Sequence, residues 1–455
     1  MLLQGTVVVD EETVRHDGAV VVDGDRIAAV GDATTLRERY PDRERLSFDV
    51  IAPGLVGAHV HSVQSLGRGV ADDVSLLSWL YDAVLPMEAE LDAEGVRVAA
   101  ALGYLELLAS GTTTVVDHLT VHHAEEAFAA AGDLGIRGVL GKVLMDQESP
   151  AGLEEDTDAA LAESRRLVDR FHRSHDDRLR YAVTPRFDVT CSEACLRGAR
   201  DVADAHDDVR IHTHAAERPP KGVDPADGDR VDAEDAPETD TETGGVRWLH
   251  EVGLTGEDVV LAHCVHTTEA ERELLVETGT NVCHCPSANM KIGSGVAPVA
   301  EYRDRGITVA LGNDGPPCNN ALDEFTELRQ AALLQSVAAR DPTALSAAAA
   351  FEMATTEGAT AAGFDRLGEL REGWRADVVG LDADHARATP LHDVVSHLVY
   401  AAHGDDVRFT MVGGDVVYRD GDLVAADRTA AEIRERAAEY AAGLDALPDR
   451  PHANG

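Results

Sequence analysis

The sequence predicts an α/β chain: a (β/α)8 barrel with a small β-sandwich domain formed by both termini. Three observations lead there. Eight apolar runs recur between residues 55 and 314, each ending in polar or ionisable residues, with helix-like stretches between them. Both ends of the chain read instead as short strands and tight turns. Finally, His59, His61, His214 and Asp314 each close an apolar run. Active sites on this fold lie at the C-terminal ends of the strands. An open doubly wound sheet would leave the first and last runs apart, whereas a closed barrel sets His59 beside Asp314.

In chain order, Val7 to Asp10, Ala19 to Val22 and Arg26 to Val30 are strand-like, with Asp23-Gly24 as a hairpin turn. The barrel runs follow. Leu55 to Ala58 leads to His59 and His61, Thr112 to Val116 to Asp117 and His118, Ile136 to Met145 to Asp146, and Tyr181 to Thr184 to Arg186. Val209 to Ile211 leads to His212, His214 and Glu217, Val259 to Ala262 to His263, Asn281 to Cys283 to His284, and Ile307 to Gly312 to Asp314. Glu94 to Ser110 and Glu269 to Thr278 have helical composition. Strand texture returns at Ala376 to Leu381, Val407 to Val412 and Asp415 to Tyr418, with a turn at Gly413-Gly414. The expected division is 1–52 and 366–425 for the small β-domain, 53–365 for the barrel, and 426–455 for a C-terminal helix and tail. Pro219 to Gly245, rich in Asp, Glu, Pro and Gly, reads as a surface loop beside Glu217, open to a second reading as a lid.

The formal net charge is −43, from 40 Lys and Arg against 83 Asp and Glu. The only lysines are Lys142, Lys221 and Lys291. Acids spread along the whole chain suit concentrated salt, where repulsion is screened. No basic footprint for nucleic acid is visible. Six cysteines in 455 residues make no disulfide framework, and Cys283-x-Cys285 reads as buried thiols. No stretch is apolar enough to span a bilayer, and the N-terminus lacks a basic n-region, so a cytoplasmic enzyme with a small-molecule substrate is expected, as a homo-oligomer.

His59 and His61 share a strand face, because side chains two apart point the same way. With His214 and Asp314 they make a nitrogen and oxygen donor set suited to one divalent ion, zinc or iron, with a position left for water. Any one of these His alone would be an ordinary polar strand end; the set of four favours a metal. Glu217 and His263 stand in register with that set, so Glu217, His263 and Asp314 are the expected proton-transfer groups. A second metal bridged by a carboxylated lysine at the end of the fourth strand is disfavoured, since that strand ends in Pro185-Arg186. His123-Ala-Glu125 matches half of the small nucleobase deaminase signature, but no P-C-x-x-C accompanies it.

With these residues in view, the chain resembles the amidohydrolase superfamily. It is most like the branch of 5′-deoxyadenosine, 5-methylthioadenosine and S-adenosylhomocysteine deaminases, guanine deaminases and triazine chlorohydrolases. The matching stretches include Pro53-Gly-Leu-Val-Gly-Ala-His-Val-His61, Gly111-Thr-Thr-Thr-Val-Val-Asp117, Gly141-Lys-Val-Leu-Met-Asp146 and His212-Thr-His-Ala-Ala-Glu217. Others are Ala262-His-Cys-Val-His266, the run from His284 to Gly295, Leu311-Gly-Asn-Asp-Gly315 and the run from Leu367 to Asp377. The resemblance implies a metal site of His59, His61, His214 and Asp314, with Glu217 and His263 catalytic. It also implies hydrolytic loss of ammonia from an aminated heterocycle, an adenosine-type nucleoside first. Guanine is the alternative, and a triazine losing chloride or amine comes third. Gln64, Trp79, Arg186 and Glu217 are the expected substrate contacts. Gln64 and Arg186 look like guanine deaminases; Trp79, Asn319-Asn320 and the Ser65 to Asp73 stretch look like the deoxyadenosine side.

Overall fold

The chain enters its barrel by leaving a sheet. In the computed structural model, which describes residues 1–219, 245–424 and 426–444, strand Arg45–Pro53 pairs antiparallel with Val378–Leu381, Pro53 opposite Val378. Gly54 N then donates to Asp377 O at 3.0 Å as the chain turns into the first barrel strand. Both ends of the chain join one eight-stranded sheet. Its order is Asp422–Leu423, Asp415–Arg419, Val407–Val412, Val378–Leu381, Arg45–Pro53, Leu2–Val8, Val14–Asp23, Arg26–Asp32. Strand alternation splits its apolar residues: Leu3, Val20 and Val22 join one cluster with Ile51 and Phe409, while Leu2, Ala19 and Val21 join another. The turn at Gly413 and Gly414 needs φ of 57° and 83°, which glycine adopts without a Cβ penalty.

The barrel strands are β1 Leu55–Val60, β2 Thr112–His118, β3 Arg137–Gly141, β4 Leu179–Pro185, β5 Arg210–Ala215, β6 Val259–His263, β7 Asn281–His284 and β8 Val309–Leu311. Each is parallel to, and hydrogen-bonded with, the next in chain order. Closure comes where Val60 bridges Asp314, just past β8, and Asp314 N donates to His59 O at 2.9 Å. Gly312 permits that approach, since a Cβ there would stand 2.7 Å from His59 O and 2.8 Å from Cys283 Sγ.

The third apolar run, expected as one strand, breaks at Lys142 into β3 and a short piece, Val143–Leu144, that pairs with β4. At the break the buried Lys142 Nζ donates to Val143 O and pairs with Glu155. One residue from most strands fills the barrel interior, namely Val56, Val116, Val139, Ala182, Val260, Cys283 and Ala310. Val115, Leu140, Val183, Ile211, Leu261, Val282 and Val309 face outward, packing with the helices. The helices Ala93–Ala109 and Glu269–Thr278 fall where helical composition was read.

Barrel and small sheet are pinned by a buried bidentate pair, Arg137 Nε and Nη2 donating to Asp377 at 2.9 and 2.8 Å. The C-terminal helix Ala430–Ala441 packs on Ala93–Ala109 of its own chain, with Tyr440 Oη donating to Asp92 Oδ1 at 2.9 Å. Residues 220–244, the acidic loop-or-lid segment, and 445–455, the tail, lie outside the described residues. Among the described residues no helix is long and apolar enough to cross a membrane.

Candidate metal centre and catalytic cavity

His59, His61, His214 and Asp314 converge at one mouth of the barrel, and one ligand atom from each lies within 4.8 Å of the others. Three local features aim them. In β1 the register shifts between Gly57 and Val60, so Val56 and Ala58 fill the interior below while His59 and His61 face the centre above them. In β5, His212 and His214 share the inward face by simple alternation. Beyond β8, Asp314 takes φ of 60°, in the left-handed region where Asp is tolerated better than most residues.

The donor set fits a cation on internal evidence. His61 Nδ1 lies 2.7 Å from His118 O, and His214 Nδ1 lies 2.7 Å from Arg186 O. A carbonyl only accepts, so both Nδ1 atoms carry hydrogen and both Nε2 atoms are bare. Those bare nitrogens stand 3.2 Å apart. Burial holds both rings well below the usual histidine range, so neither is cationic. Two lone pairs facing each other at that distance call for a positive centre between them. His59 Nε2 is likewise buried without a hydrogen-bond partner among the described residues, 3.4 Å from Asp314 Oδ1. Three neutral imidazoles and one carboxylate match a zinc-type site. Neither described lysine belongs to it: Lys142 pairs with Glu155, and Lys291 with Asp72.

Beside this group stand the two expected proton-transfer residues. Val259 and Leu261 of β6 pack outward and Val260 inward, so alternation would turn His263 toward the helices. Its φ of 73° brings the ring into the mouth instead. His263 Nδ1 lies 2.9 Å from Asn289 Oδ1, and its buried Nε2, with no hydrogen bond, is 3.7 Å from Glu217 Oε2 and 3.9 Å from Asp314 Oδ2. Glu217 Oε1 accepts from Ser294 Oγ at 3.0 Å. Burial raises the Glu217 carboxyl above the usual range, as suits a group that both takes and gives a proton. Asn289 and Ser294 had not been singled out; their only signal was membership of the His284 to Gly295 stretch.

A cavity of about 680 Å³ opens over these groups, lined by His61, His214, His263, Asp314 and Glu217, with Trp79, Arg186, Phe187, Leu76 and Leu80 among its walls. Arg186 and Trp79, two of the expected substrate contacts, line this cavity, and the Trp79 Nε1 is buried with no hydrogen-bond partner among the described residues. Gln64 does not. It lies behind the wall, fully buried, with Nε2 donating to Glu88 Oε1 at 2.8 Å. Glu88, unflagged in the sequence, also accepts from Thr120 Oγ1 at 3.0 Å and from Arg186 Nη1 at 3.3 Å. A buried carboxylate needs this many donors, which is why the Gln64 amide is committed to it. His123 of the partial nucleobase deaminase signature is exposed and outside the metal group, and all six cysteines are free and buried.

This fold and this four-residue group define a (β/α)8 barrel built to hold a metal ion at its C-terminal mouth. The sequence profile described as Amidohydrolase family matches residues 50–417, and the chain belongs to that family. A 5-methylthioadenosine/S-adenosylhomocysteine deaminase of Haloarcula marismortui is 40% identical over 94% of each chain. A 5′-deoxyadenosine deaminase of Methanopyrus kandleri is 36% identical over 98% of this chain and 99% of its own. Among solved structures, an adenosine deaminase from Xanthomonas campestris with bound zinc superposes with a TM-score of 0.84 at 32% identity, covering 96% of this chain and 97% of its own.

Proposed function

We propose that the protein is a metal-dependent hydrolytic deaminase of an aminated purine-type heterocycle, an adenosine-type nucleoside such as 5′-deoxyadenosine, 5-methylthioadenosine or S-adenosylhomocysteine. The observation that carries this reading is the placement of Glu217 and His263 directly beside the His59, His61, His214 and Asp314 group, with Asp314 within 3.9 Å of His263. The names of the two relatives support the substrate class.

His59, His61, His214 and Asp314 would hold one divalent ion, zinc by analogy with the zinc-bound Xanthomonas campestris structure. Bound there, it supplies Lewis acidity and makes water nucleophilic near neutral pH. The chain's own groups do the rest. His263 Nε2, bare and aimed at the mouth, accepts a hydrogen bond from the attacking water and orients it. The Asp314 carboxylate stands as the first proton acceptor. Glu217, kept protonatable by burial, delivers a proton to the ring nitrogen next to the amine-bearing carbon as the water oxygen adds to that carbon. The proton taken by Asp314 goes to the amine, the hydroxyl returns its own proton to Glu217, the carbon–nitrogen bond breaks, and ammonia leaves with a ring carbonyl in its place. Trp79 and the apolar wall cover the ring faces and exclude bulk water, while Arg186 offers donors to its edge. The small β-domain meets the barrel through Asp377, paired with Arg137 at the start of β3, the strand end away from the site.

The test is ammonia release in concentrated salt across 5′-deoxyadenosine, 5-methylthioadenosine, S-adenosylhomocysteine, guanine and melamine, with metal content measured on the same preparation. Highest kcat/KM on an adenosine-type nucleoside at about one zinc per chain is expected. Ammonia release from none of the five overturns the deaminase reading, and a highest kcat/KM on guanine or melamine overturns the nucleoside assignment.

A further inference from the structure

The three inward imidazoles are not oriented alike. His61 and His214 give their Nδ1 hydrogens to main-chain carbonyls, those of His118 and Arg186. His59 has a side chain instead: its Nδ1 lies 2.7 Å from Nε2 of His212. His212 is fully buried, and its own Nδ1 lies 3.1 Å from the carbonyl oxygen of Val260, its register partner on β6.

The carbonyl decides the polarity of this chain of bonds. Val260 O only accepts, so His212 Nδ1 carries the hydrogen and, in the neutral ring, His212 Nε2 is bare. The second bond then runs from His59 Nδ1–H to His212 Nε2, and His59 is left with a bare Nε2. That atom faces Asp314 Oδ1 at 3.4 Å and makes no hydrogen bond among the described residues. The reverse polarity would press a lone pair of His212 against a carbonyl oxygen and put a hydrogen on His59 Nε2, in the middle of the four ligand atoms. The two rings meet at 62° with centroids 4.9 Å apart, so the same contact fixes the plane of His59.

We propose that His212 is a positioning residue of the metal centre, holding His59 in the one tautomer and ring plane that present a nitrogen lone pair to the ion. The inference rests on reading His59, His61, His214 and Asp314 as the metal site. Two of the three imidazoles are set by the backbone, which substitution leaves in place. The third is set by His212, the point at which a side-chain change alone can loosen the centre.

Zinc affinity tests this without reference to turnover. The full chain is stripped of metal, and zinc binding is measured by competition with a chromophoric chelator for wild type, His212→Gln and His212→Asn. The Gln amide reaches the place of Nε2 and can accept from His59; the shorter Asn amide reaches only the place of Nδ1. Asn should bind zinc about 10–100-fold more weakly than wild type, the usual effect of losing a ligand's outer partner, while Gln restores most of that loss. The zinc-release rate into excess chelator should follow the same order, with matching thermal unfolding of the metal-free variants. Equal weakening by Gln and Asn, or no weakening by either, overturns the proposal. A wild type that takes up no zinc overturns the metal site itself.

Discussion

The floor of the cavity and its wall are built on opposite plans. On the floor, the inward atoms of His59 and His263 have no hydrogen-bond partner among the described residues, and the bare nitrogens of His61 and His214 face each other. On the wall, Glu88 collects Gln64 Nε2, Thr120 and Arg186, so the charged groups are paired with one another, while the neutral Gln64 Oε1 and Trp79 Nε1 have no partner among the described residues. Buried polar atoms are ordinarily paired. A floor whose metal-ligand and proton-transfer atoms are left unpaired is organised to receive something, whereas a wall whose charges pair with one another shapes the space around it. Floor substitutions should therefore abolish chemistry with little change in the wall, and wall substitutions should alter stability and selectivity while the metal stays.

The largest effect should follow loss of a ligand. His61→Ala is expected to reduce bound zinc to well under one per chain and to lower kcat/KM by roughly 10⁴-fold or more, measured together by metal analysis and ammonia release. If His61→Ala keeps full zinc occupancy, the donor set is wrong. Next comes Glu217→Gln, which keeps shape and metal but cannot shuttle a proton. A drop in kcat of about 10²–10⁴-fold with unchanged zinc content is expected. A variant that retains most of its turnover would remove Glu217 from the mechanism.

The wall should respond in stability. Glu88→Gln leaves the Arg186 guanidinium, 2% exposed, without its carboxylate, and a broken buried pair costs about 3–5 kcal/mol. Pairing it with Arg186→Met should recover most of the loss in denaturant unfolding, while zinc affinity in both variants stays close to wild type. Zinc affinity that falls in parallel with stability would show that floor and wall are one unit, and the contrast would be lost.

The floor was the legible half, and its physics explains why. Ligands on a barrel must sit at strand ends, and strand ends are readable as the close of apolar runs, so His59, His61, His214 and Asp314 stood out together. The wall is assembled from residues with no shared period: Glu88 from a helical stretch before the second strand, Gln64 from the turn after β1, Thr120 from the loop after β2, Arg186 from the end of β4. Such a network appears only when the fold closes, and so Gln64 was expected at the substrate when it serves a buried carboxylate. Backbone departures were hidden for the same reason. Alternation cannot foresee the φ of 73° that turns His263 inward, or the register shift that keeps both Ala58 and His59 on the interior face. His212 was visible as a strand-end histidine, but a partner one ring removed from the ion carries no spacing signal of its own.

The smallest effect probes the support beneath the floor. Asp117 at the end of β2 accepts from Ser62 N at 3.1 Å, directly after His61, and from Tyr104 Oη at 2.7 Å. Burial pushes its carboxyl up to about 6, against the pull of those hydrogen bonds. The folded value thus exceeds the unfolded one near 4, so the folded state holds the proton more tightly. Its contribution to stability is complete below about pH 4 and is lost as the pH rises through about 6, a change of roughly 3 kcal/mol. Asp117→Asn cannot titrate. The difference in unfolding free energy between wild type and variant, both metal-free at one salt concentration, should therefore shift by about that amount between pH 4 and 7 and level off at either side. A difference that stays flat across the window would place the Asp117 charge in a better-compensated setting than its buried partners provide. The anchoring of the His61 turn would then rest on Ser62 and Tyr104 alone, independent of protonation.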